Sequence, residues 1–270
     1  MKGPIGVFDS GVGGLTVFQE IERALPSESL IYLGDSARVP YGTKSAETVT
    51  RYSLEAAGHL LGRGVKALVV ACNTATAASL PQLRAALPIP VIGVIEPGAR
   101  AAAAATRGRV GVIATEGTVR SRAYSAAIAA IDGSITVIEQ ACPLFVPLAE
   151  EGWANTRVAR EVAEIYLAPL LDERIDTLVL GCTHYPILKT TIRKVIGEQI
   201  AIVDSAETTA HALADVLARE GLLAEGGSPK QRFLVTDGAE RFQRVAEEFL
   251  DRRVSDLELV HIDGVAVLAT

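Results

Sequence analysis

The amino-acid sequence predicts an α/β protein with mostly parallel sheets, and three observations support this prediction. Short β-rich runs alternate with amphipathic helical segments, which is typical of parallel strands covered by helices. The chain has 270 residues, of which 49% are hydrophobic, so it can bury two modest cores. Two of the apolar runs end in a cysteine in similar sequence contexts. The predicted strands are Ile5–Phe8, Leu30–Leu33, Ala67–Ala71, Val91–Ile95, Val110–Ile113, Thr177–Leu180 and Phe233–Val235.

The helical segments and the domain boundaries follow from the same alternation. Leu15–Ile21 is amphipathic, and Arg157–Leu171 has apolar residues at spacings of three and four. The run Glu96-Pro97-Gly98 follows a predicted strand and predicts a boundary, and Asp204-Ser205 has the pattern of a helix cap. The remaining C-terminal segment contains too few elements for a core of its own. We therefore predict a first α/β domain of residues 1–96 plus 207–270 and a second α/β domain of residues 97–206.

Composition and charge argue against several classes of protein. The formal net charge of -6 gives no broad positive field, so a nucleic-acid or anionic-membrane partner is not expected. The N-terminus lacks the features of a signal peptide, and no apolar run approaches the ~20 residues needed to span a bilayer. The three cysteines are widely spaced without a C-x-x-C pair, which predicts reduced thiols. We expect a cytoplasmic protein.

One internal similarity links the two halves of the chain. The run Ala67–Thr74 matches Thr177–His184, and in both a buried strand delivers a cysteine at its carboxyl end, Cys72 or Cys182. Open parallel sheets bind ligands at this edge, because loops and helix N-termini with free N–H groups gather there. Each domain would thus present one cysteine to a shared cleft. Cys142 lacks this context and is interpreted as a core residue.

The two strand-end cysteines are the strongest candidates for chemistry. A helix that begins just after a thiol favours the thiolate, although a free cysteine is also often a small buried hydrophobe. Here a polar pair follows each cysteine, Asn73-Thr74 or Thr183-His184, which favours chemistry. Two thiols on opposite faces of a carbon would permit its inversion by proton transfer. Because an acidity gap on the order of ten pKa units would cost ~14 kcal/mol, the site must stabilise the carbanion and exclude water.

Another strand end supplies a candidate partner for the first thiol. Asp9 begins the run Asp9–Gly14, whose glycines allow a ligand to approach the backbone closely. Asp9 could orient Cys72 and handle a proton, or it could only cap the next helix. The run does not match the dinucleotide-binding pattern G-x-G-x-x-G, because Thr16 occupies the position of the third glycine.

The remaining polar candidates each have a structural alternative. His184 lies two residues from the second cysteine and could act with it as an acid or orienting group. Pro40-Tyr41-Gly42 could supply an aromatic wall and a backbone donor, or it could be an ordinary turn. Thr115 and Thr118 could donate hydrogen bonds to a carboxylate, or they could cap a helix. The histidines without comparable neighbours, interpreted as structural, are His59, His211 and His261.

Four motifs together resemble the signatures of the glutamate racemase family. The resemblance covers nearly the whole chain and implies two similar three-layer domains with the active site in the interdomain cleft. It also implies a cofactor-independent enzyme that interconverts L- and D-glutamate, a cytoplasmic homodimer whose D-glutamate supplies peptidoglycan synthesis. The motifs are Asp9-Ser10-Gly11-Val12-Gly13-Gly14-Leu15, Pro40-Tyr41-Gly42, Ala71-Cys72-Asn73-Thr74-Ala75 and Gly181-Cys182-Thr183-His184-Tyr185-Pro186.

The same resemblance implies roles for individual residues. Cys72 and Cys182 would be the catalytic pair, the first serving D-glutamate and the second L-glutamate. Asp9 would assist the first cysteine, while His184 and Glu150 would assist the second, and the glutamate after Glu150 stays an alternative. Neither a metal nor a cofactor is expected. The implied substrate-binding residues are Asp9, Ser10, Tyr41, Gly42, Asn73, Thr74, Thr115, Thr118, Thr183 and His184.

Several alternative functions stay open. An aspartate racemase would typically carry Cys-Thr-Glu where this chain has Cys182-Thr183-His184, and a related decarboxylase of substituted malonates would lack the first cysteine. A pyridoxal phosphate racemase would need a Schiff-base lysine, and no lysine lies in a recognisable motif. A two-domain amino-acid binding protein would have no use for paired thiols. A zinc site could combine both cysteines with Asp9 and His184, although C-x-H is not a usual zinc spacing.

Overall fold

The structure, a computed structural model, describes residues 3–226 and 228–262 and contains two β-sheets. Residues 1, 2, 227 and 263–270, which belong to the predicted first domain, lie outside the described residues. The strands, in chain order, are β1 (Ile5–Asp9), β2 (Leu30–Gly34), β3 (Ala67–Val70), β4 (Val91–Gly93), β5 (Arg109–Ala114), β6 (Thr136–Ala141), β7 (Thr177–Gly181), β8 (Ala201–Asp204), β9 (Gln231–Val235) and β10 (Leu257–Leu259).

Helices connect most of the strands. Within the described residues, none of them combines the length and apolarity needed to cross a membrane. Short 3₁₀ segments span Ser36–Arg38, Tyr41–Thr43 and Tyr185–Leu188. The α-helices are α1 (Leu15–Ala24), α2 (Ala46–Gly62), α3 (Asn73–Ala86), α4 (Ile95–Ala105), α5 (Glu116–Ser121), α6 (Ala123–Ala129), α7 (Phe145–Glu150), α8 (Arg157–Asp172), α9 (Lys189–Ile196), α10 (Ser205–Arg219) and α11 (Ala239–Leu250).

Strand pairing is parallel in both sheets. The first sheet has the order β10-β9-β2-β1-β3-β4, and the second has the order β6-β5-β7-β8. In the first sheet, Ile5 of the central strand β1 pairs with Leu30 of β2 and with Ala67 of β3. Parallel pairing brings the carboxyl ends of the strands to one edge of each sheet. The C-terminal strands β9 and β10 extend the first sheet beside β2, whereas the exact domain boundaries stay a prediction.

The predicted fold class is confirmed, and each of the seven predicted strands is present. The sequence pattern did not predict β6, β8 and β10. Each of these three strands lies at the edge of its sheet and has few buried side chains. An edge strand that is partly exposed to solvent lacks the continuous apolar run that marks a buried parallel strand. The missed strands are therefore those with the weakest apolar signal.

The predicted boundary at Glu96-Pro97-Gly98 has a different structure. β4 ends at Gly93 and α4 begins at Ile95, so these residues form the first turn of a helix and not a break in the chain. Proline is tolerated in a first turn because its missing N–H would have no helical partner there. Asp204, in contrast, caps α10 as predicted, since its side chain accepts a hydrogen bond from the Ala206 N–H at 3.0 Å. The two predicted helical segments are confirmed as parts of α1 and α8.

Alternation along β1 shows how the core is built. Ile5 and Val7 point to the face covered by α1, whereas Phe8 points to the opposite face, which α2 and α3 cover. The apolar cluster on the first face continues without a break into the second sheet, where it includes Tyr124 and Leu180. This shared cluster joins the two sheets through the helices between them, among them α1 and α10, and holds their carboxyl edges in a defined relation.

Candidate active site

The predicted site residues gather where strands from both sheets end. Asp9 is the last residue of β1, and Cys72 is the N-cap of α3 just after β3. Thr115 is the N-cap of α5 just after β5, and Cys182 follows β7 directly. Buried apolar runs form these strands, and the first polar residues after each run mark their ends. The carboxyl edges of the two sheets thus supply the candidate functional groups.

Direct hydrogen bonds join the two edges. The Thr16 hydroxyl at the start of α1 donates to the Thr183 carbonyl at 2.8 Å. The Tyr124 hydroxyl on α6 donates to Asn73 Oδ1 at 2.8 Å. Asn73 Nδ2, although buried, has no hydrogen-bond partner among the described residues. Since a buried donor without a partner is costly, Asn73 Nδ2 is a ready donor for a ligand at this edge.

Three threonine hydroxyls form a cluster that spans both edges. Thr74 Oγ1 lies 2.9 Å from Thr115 Oγ1 and 3.2 Å from Thr118 Oγ1, and the last two are 3.1 Å apart. Gly42 packs against this cluster, and a Cβ atom at its position would lie 3.1 Å from the Thr115 Cβ. Hydroxyl groups can rotate to donate or accept. The cluster can therefore reorient its hydrogens toward a carboxylate.

Cys72 is a buried thiol. Its sulfur accepts a hydrogen bond from the Ala75 N–H at 3.4 Å and lies 3.5 Å from Ser10 Oγ, to which it donates. Burial and the charge of Asp9 raise the pKa of Cys72 from its ordinary value of 9.0 to about 12. The hydrogen bonds that Cys72 makes with Ser10 and with the Ala75 N–H lower the pKa, but burial outweighs them. The helix end therefore favours the thiolate as expected, but burial and Asp9 have the larger effect and favour the thiol.

Asp9 is fully buried beside this thiol. Its Oδ2 accepts a hydrogen bond from the Gly11 N–H at 2.8 Å, while its Oδ1 has no hydrogen-bond partner among the described residues. Burial raises the pKa of Asp9, although the charge of His184 and nearby backbone N–H groups oppose the increase. Asp9 does not cap α1, whose N-cap is Gly14. Its free oxygen can accept a proton or bind a cationic group.

Cys182 lies at the end of a chain of polar contacts. Its sulfur is 3.8 Å from His184 Nδ1, and His184 Nε2 is 3.0 Å from Glu150 Oε1. Burial lowers the pKa of His184, but its bonds to Cys182 and Glu150 outweigh this effect and raise it from 6.5 to about 10. The imidazole therefore carries a positive charge at neutral pH. Glu150, and not the adjoining Glu151, contacts this ring.

Glycine at position 13 allows the loop after β1 to lie close to Thr183 and His184. A Cβ atom on Gly13 would lie 2.5 Å from Thr183 Oγ1 and would also collide with the His184 ring. Gly13 belongs to the loop after β1 in the first sheet, whereas Thr183 and His184 follow β7 in the second. A residue without a side chain is required where the two loops touch.

Tyr41 is buried at the rim of the group and has a partner that the sequence did not predict. Its hydroxyl donates to the Asp35 carboxylate, and burial and the charge of Asp35 raise the pKa of Tyr41. Asp35 also accepts from Arg38 Nε at 2.7 Å and from Thr236 Oγ1 at 3.0 Å. Asp35 follows β2 as Asp9 ends β1, so an acidic residue at a strand end was a usable signal. Tyr124 had no such local signal.

Cys142 and the ion pair of Arg84 with Glu96 lie outside the candidate site and have their polar groups paired or buried in the apolar core. Cys142 is completely buried in the apolar core, as predicted. A cavity of about 820 Å³ lies between α3, α4 and α10, and neither strand-end cysteine lines it. Its Arg84 and Glu96 form a two-bond ion pair that satisfies both groups. We place the candidate site at the two cysteines because unpaired buried polar atoms converge there.

The alternative of a zinc site finds no support in the side-chain arrangement. Zinc requires several ligand atoms at about 2.0–2.3 Å from one point. Among residues 3–226 and 228–262, no three histidine, cysteine, aspartate or glutamate side chains are arranged to hold a metal ion. The contact of 3.8 Å between Cys182 and His184 is instead that of a hydrogen-bonded pair.

Comparisons with known proteins agree with this geometry. The model of the Asp/Glu/hydantoin racemase family matches residues 5–213. A glutamate racemase from Geobacter metallireducens is 56% identical over 264 residues, covering 96% of this chain and 97% of the relative. The crystal structure of a Bacillus anthracis glutamate racemase, isoform RacE1, has a TM-score of 0.94 at 46% identity, covering 97% of this chain and 98% of the other. A Francisella tularensis glutamate racemase in complex with D-glutamate has a TM-score of 0.92 at 40% identity, with the same coverage.

Proposed function

Because the chain belongs to the Asp/Glu/hydantoin racemase family and is an amino-acid racemase, we propose that its substrate is glutamate and that Cys72 and Cys182 exchange the α-proton on opposite faces. One observation carries the proposal. Two buried thiols, each with its own ionisable partner, lie at the facing carboxyl edges of two sheets, and Cys182 is close enough to raise the pKa of Cys72 electrostatically. Inversion of a carbon by proton transfer needs two acid–base groups in this relation.

The proposed reaction conserves every proton and electron pair. From L-glutamate, the Cys182 thiolate takes the α-proton, and the C–H bonding pair stays on the carbon. The Cys72 thiol then delivers its own proton to the opposite face and becomes a thiolate, which yields D-glutamate. The reaction from D-glutamate uses the same steps in reverse order. Proton exchange with solvent or with the assisting side chains restores the starting state.

The electrostatic environments support this division of labour. His184 carries a positive charge at neutral pH and lies against Cys182, so it can donate a hydrogen bond to the sulfur when that sulfur acts as the base. The raised pKa of Cys72 keeps that side chain a protonated thiol, ready to donate. For the reverse direction, Asp9 is the group that can accept the Cys72 proton, since one of its oxygens has no partner among the described residues.

Glutamate offers two carboxylates and an ammonium group to the site. We assign the carboxylates to the hydroxyl cluster of Thr74, Thr115 and Thr118 and to the unpaired Nδ2 of Asn73. Such donors also stabilise the negative charge that develops on the α-carboxylate when the proton leaves. The ammonium group fits the free oxygen of Asp9. The other proposed substrate contacts are Ser10, Tyr41, Gly42, Thr183 and His184.

Further parts of the proposal rest on family membership. Proton transfer between thiols and carbon requires no cofactor, and we propose none. The D-glutamate product would supply peptidoglycan synthesis, which places the enzyme in the cytoplasm. A homodimer is the proposed assembly.

Proton exchange in D₂O tests the proposal. Purified protein is incubated without added cofactor with D-glutamate and, separately, with L-glutamate, and α-proton exchange is measured by NMR alongside optical rotation. We expect both enantiomers to lose the α-proton signal and the optical rotation. Exchange of aspartate or a substituted malonate, with no reaction of glutamate, would retain the acid–base chemistry and overturn the substrate. No reaction with any of the three would contradict the racemase and favour an amino-acid binding protein.

A further inference from the structure

Arg241 connects the two sheets at the candidate site. It is the third residue of α11, which follows β9 of the first sheet, whereas Glu150 ends α7, which follows β6 of the second. Arg241 Nη2 donates to Glu150 Oε2 at 3.0 Å and lies 3.7 Å from Glu151 Oε1. Both Arg241 and Glu150 line a cavity of about 190 Å³ together with Gly11 of the loop after β1. The ion pair therefore lies beside the proposed active site.

The two oxygens of Glu150 have different partners. Oε2 accepts from Arg241, while Oε1 contacts His184 Nε2, and the other ring nitrogen of His184 faces the Cys182 sulfur. The result is a continuous series of four groups, Arg241, Glu150, His184 and Cys182. A carboxylate held at both oxygens has little freedom to rotate. Arg241 thus limits the positions that Glu150 can offer to the imidazole.

Charge supports the same role. Burial raises the pKa of Glu150, but His184 and Arg241 outweigh this effect and lower it. The Glu150 side chain is 23% exposed, and that of Arg241 is 62% exposed. Because exposed ion pairs contribute little to stability, the pair has a small value for folding alone. Its main effect is on the carboxylate that holds His184.

From these contacts we infer that Arg241 is a positioning residue for proton transfer at Cys182, acting through Glu150 and His184 without contacting substrate. The inference deepens the proposed function and rests on it. It predicts a larger effect on one of the two proton transfers than on the other. Among the described residues, neither Asp9 nor Cys72 makes a hydrogen bond to this series, and only the charges of His184 and Glu150 reach Asp9. The transfer at Cys72 should therefore change less than the transfer at Cys182.

The two transfers can be separated by isotope effects. The enantiomers have equal free energy in water, so any variant must keep equal kcat/KM values in the two directions. A slower step at Cys182 therefore appears in how strongly C–H cleavage limits each direction. With L-glutamate deuterated at the α-carbon, Cys182 breaks the C–D bond, and its isotope effect should increase. With deuterated D-glutamate, Cys72 breaks the bond, and the isotope effect should decrease.

The experiment compares Arg241→Met, which removes the charge but keeps an apolar stem, with Arg241→Lys, which keeps a cation. Arg244→Met is the matched control, since Arg244 is exposed on the same helix. We expect Arg241→Met to lower kcat/KM roughly 10-fold, less than the ~100-fold that a 1 Å misplacement can cause. Its isotope effects should shift in the opposite directions described above. Arg241→Lys should recover most of the activity, and Arg244→Met should match the wild type.

Two outcomes would overturn the inference. One is an Arg241→Met enzyme with kcat/KM and isotope effects like those of the wild type. The other is a loss of activity in which both isotope effects move together or Arg241→Lys restores nothing, because general loosening of the site would produce that result. Thermal unfolding of each variant shows whether it is folded during the assay. A wild-type protein that does not racemise glutamate would instead contradict the proposed function.

Discussion

The two strand-end cysteines occupy similar sequence positions but opposite electrostatic surroundings. Cys72 lies beside the carboxyl group of Asp9, and its pKa is raised to about 12. Cys182 lies beside His184, which carries a positive charge at neutral pH. Burial and Asp9 favour the protonated thiol at Cys72, whereas a cationic ring that can donate a hydrogen bond lies against the Cys182 sulfur. A pair of similar motifs can therefore supply one acid and one base.

The difference begins two residues after each cysteine. In the first motif this position is Thr74, which joins the hydroxyl cluster with Thr115 and Thr118. In the second it is His184, which turns toward the sulfur and Glu150. In the proposed mechanism, the first motif contributes a hydrogen-bond donor for the substrate, and the second contributes a charged ring beside the thiol.

The largest expected effect comes from removing either thiol. Cys72→Ser and Cys182→Ser should each lower kcat at least ~10³-fold, within the range of 10²–10⁴ that acid–base groups contribute. A serine hydroxyl is far less acidic than a thiol and cannot replace it on either face. Circular dichroism of each glutamate enantiomer with time measures the loss.

Cys142→Ser is the control for these two variants, because Cys142 is buried in the apolar core and takes no part in the proposed proton transfers. It should keep nearly full activity at temperatures where it remains folded. The double variant Cys72→Ser, Cys182→Ser should still bind glutamate in a calorimetric titration. Full activity of either single serine variant would show that the two-thiol mechanism is wrong.

The charged His184 beside Cys182 should also make the free energy of unfolding depend on pH. His184 has a pKa of about 10 in the folded protein and an ordinary value of 6.5 when unfolded. The folded state therefore binds the proton more tightly, so this stabilisation is complete below pH 6.5 and is lost as the pH rises through 10. Between pH 6.5 and 8.5, the free energy of unfolding should fall by up to about 1.4 kcal/mol per pH unit. Urea denaturation across this range measures the slope.

His184→Gln should have a flatter profile over the same range, since other titrating groups contribute similarly to both proteins. Cys72, whose pKa is raised by burial, adds to the loss of stability only above the ordinary thiol pKa of 9.0. Equal slopes for the wild type and His184→Gln would mean that the Cys182 side does not hold a charged imidazole.

Contact between the two loops can be tested at a single glycine. Gly13→Ala places a Cβ atom 2.5 Å from Thr183 Oγ1 and against the His184 ring. Overpacking of this kind costs about 1–3 kcal/mol of stability, and displacement of His184 should also lower activity. Chemical denaturation and the racemase assay measure the two effects.

Gly62→Ala is the matched control, since no atom lies within 4 Å of the added Cβ. This change at the end of α2 should be neutral or stabilising by about 0.4–1 kcal/mol. If both alanine variants behave alike, the close approach of the loops does not limit the site.

The smallest expected effect is at Asp9. Asp9→Asn keeps the shape but removes the proton acceptor beside Cys72, and kcat/KM should fall roughly 10-fold, less than the ~10²–10⁴-fold contributed by a group that exchanges a proton directly with the substrate. Its isotope effects should mirror those of Arg241→Met, increasing for deuterated D-glutamate and decreasing for deuterated L-glutamate. Isotope effects of the same sign in both variants would contradict the assignment of Asp9 and Arg241 to different cysteines.

Much of the fold could be predicted from the sequence because buried parallel strands are continuous apolar runs. Ile5–Phe8 and Thr177–Leu180 are examples, and both are strands in the structure. β8 and β10 were missed because short, half-exposed edge strands have no such run. Asp35, the partner of Tyr41, could also have been predicted, since it is an acidic residue that follows the second predicted strand, as Asp9 follows the first.

The sequence by itself determined the α/β class, the two strand-end cysteines and the polar residues beside them, because these depend on local periodicity and spacing. Only the tertiary structure decided that Asn73 meets Tyr124 and that Arg241 meets Glu150. Each of these contacts joins residues that are far apart in the chain, and no local pattern encodes it. The charge of His184 and the protonated state of Cys72 were decided in the same way, because burial and opposing charges that set a pKa exist only after the two sheets have packed together.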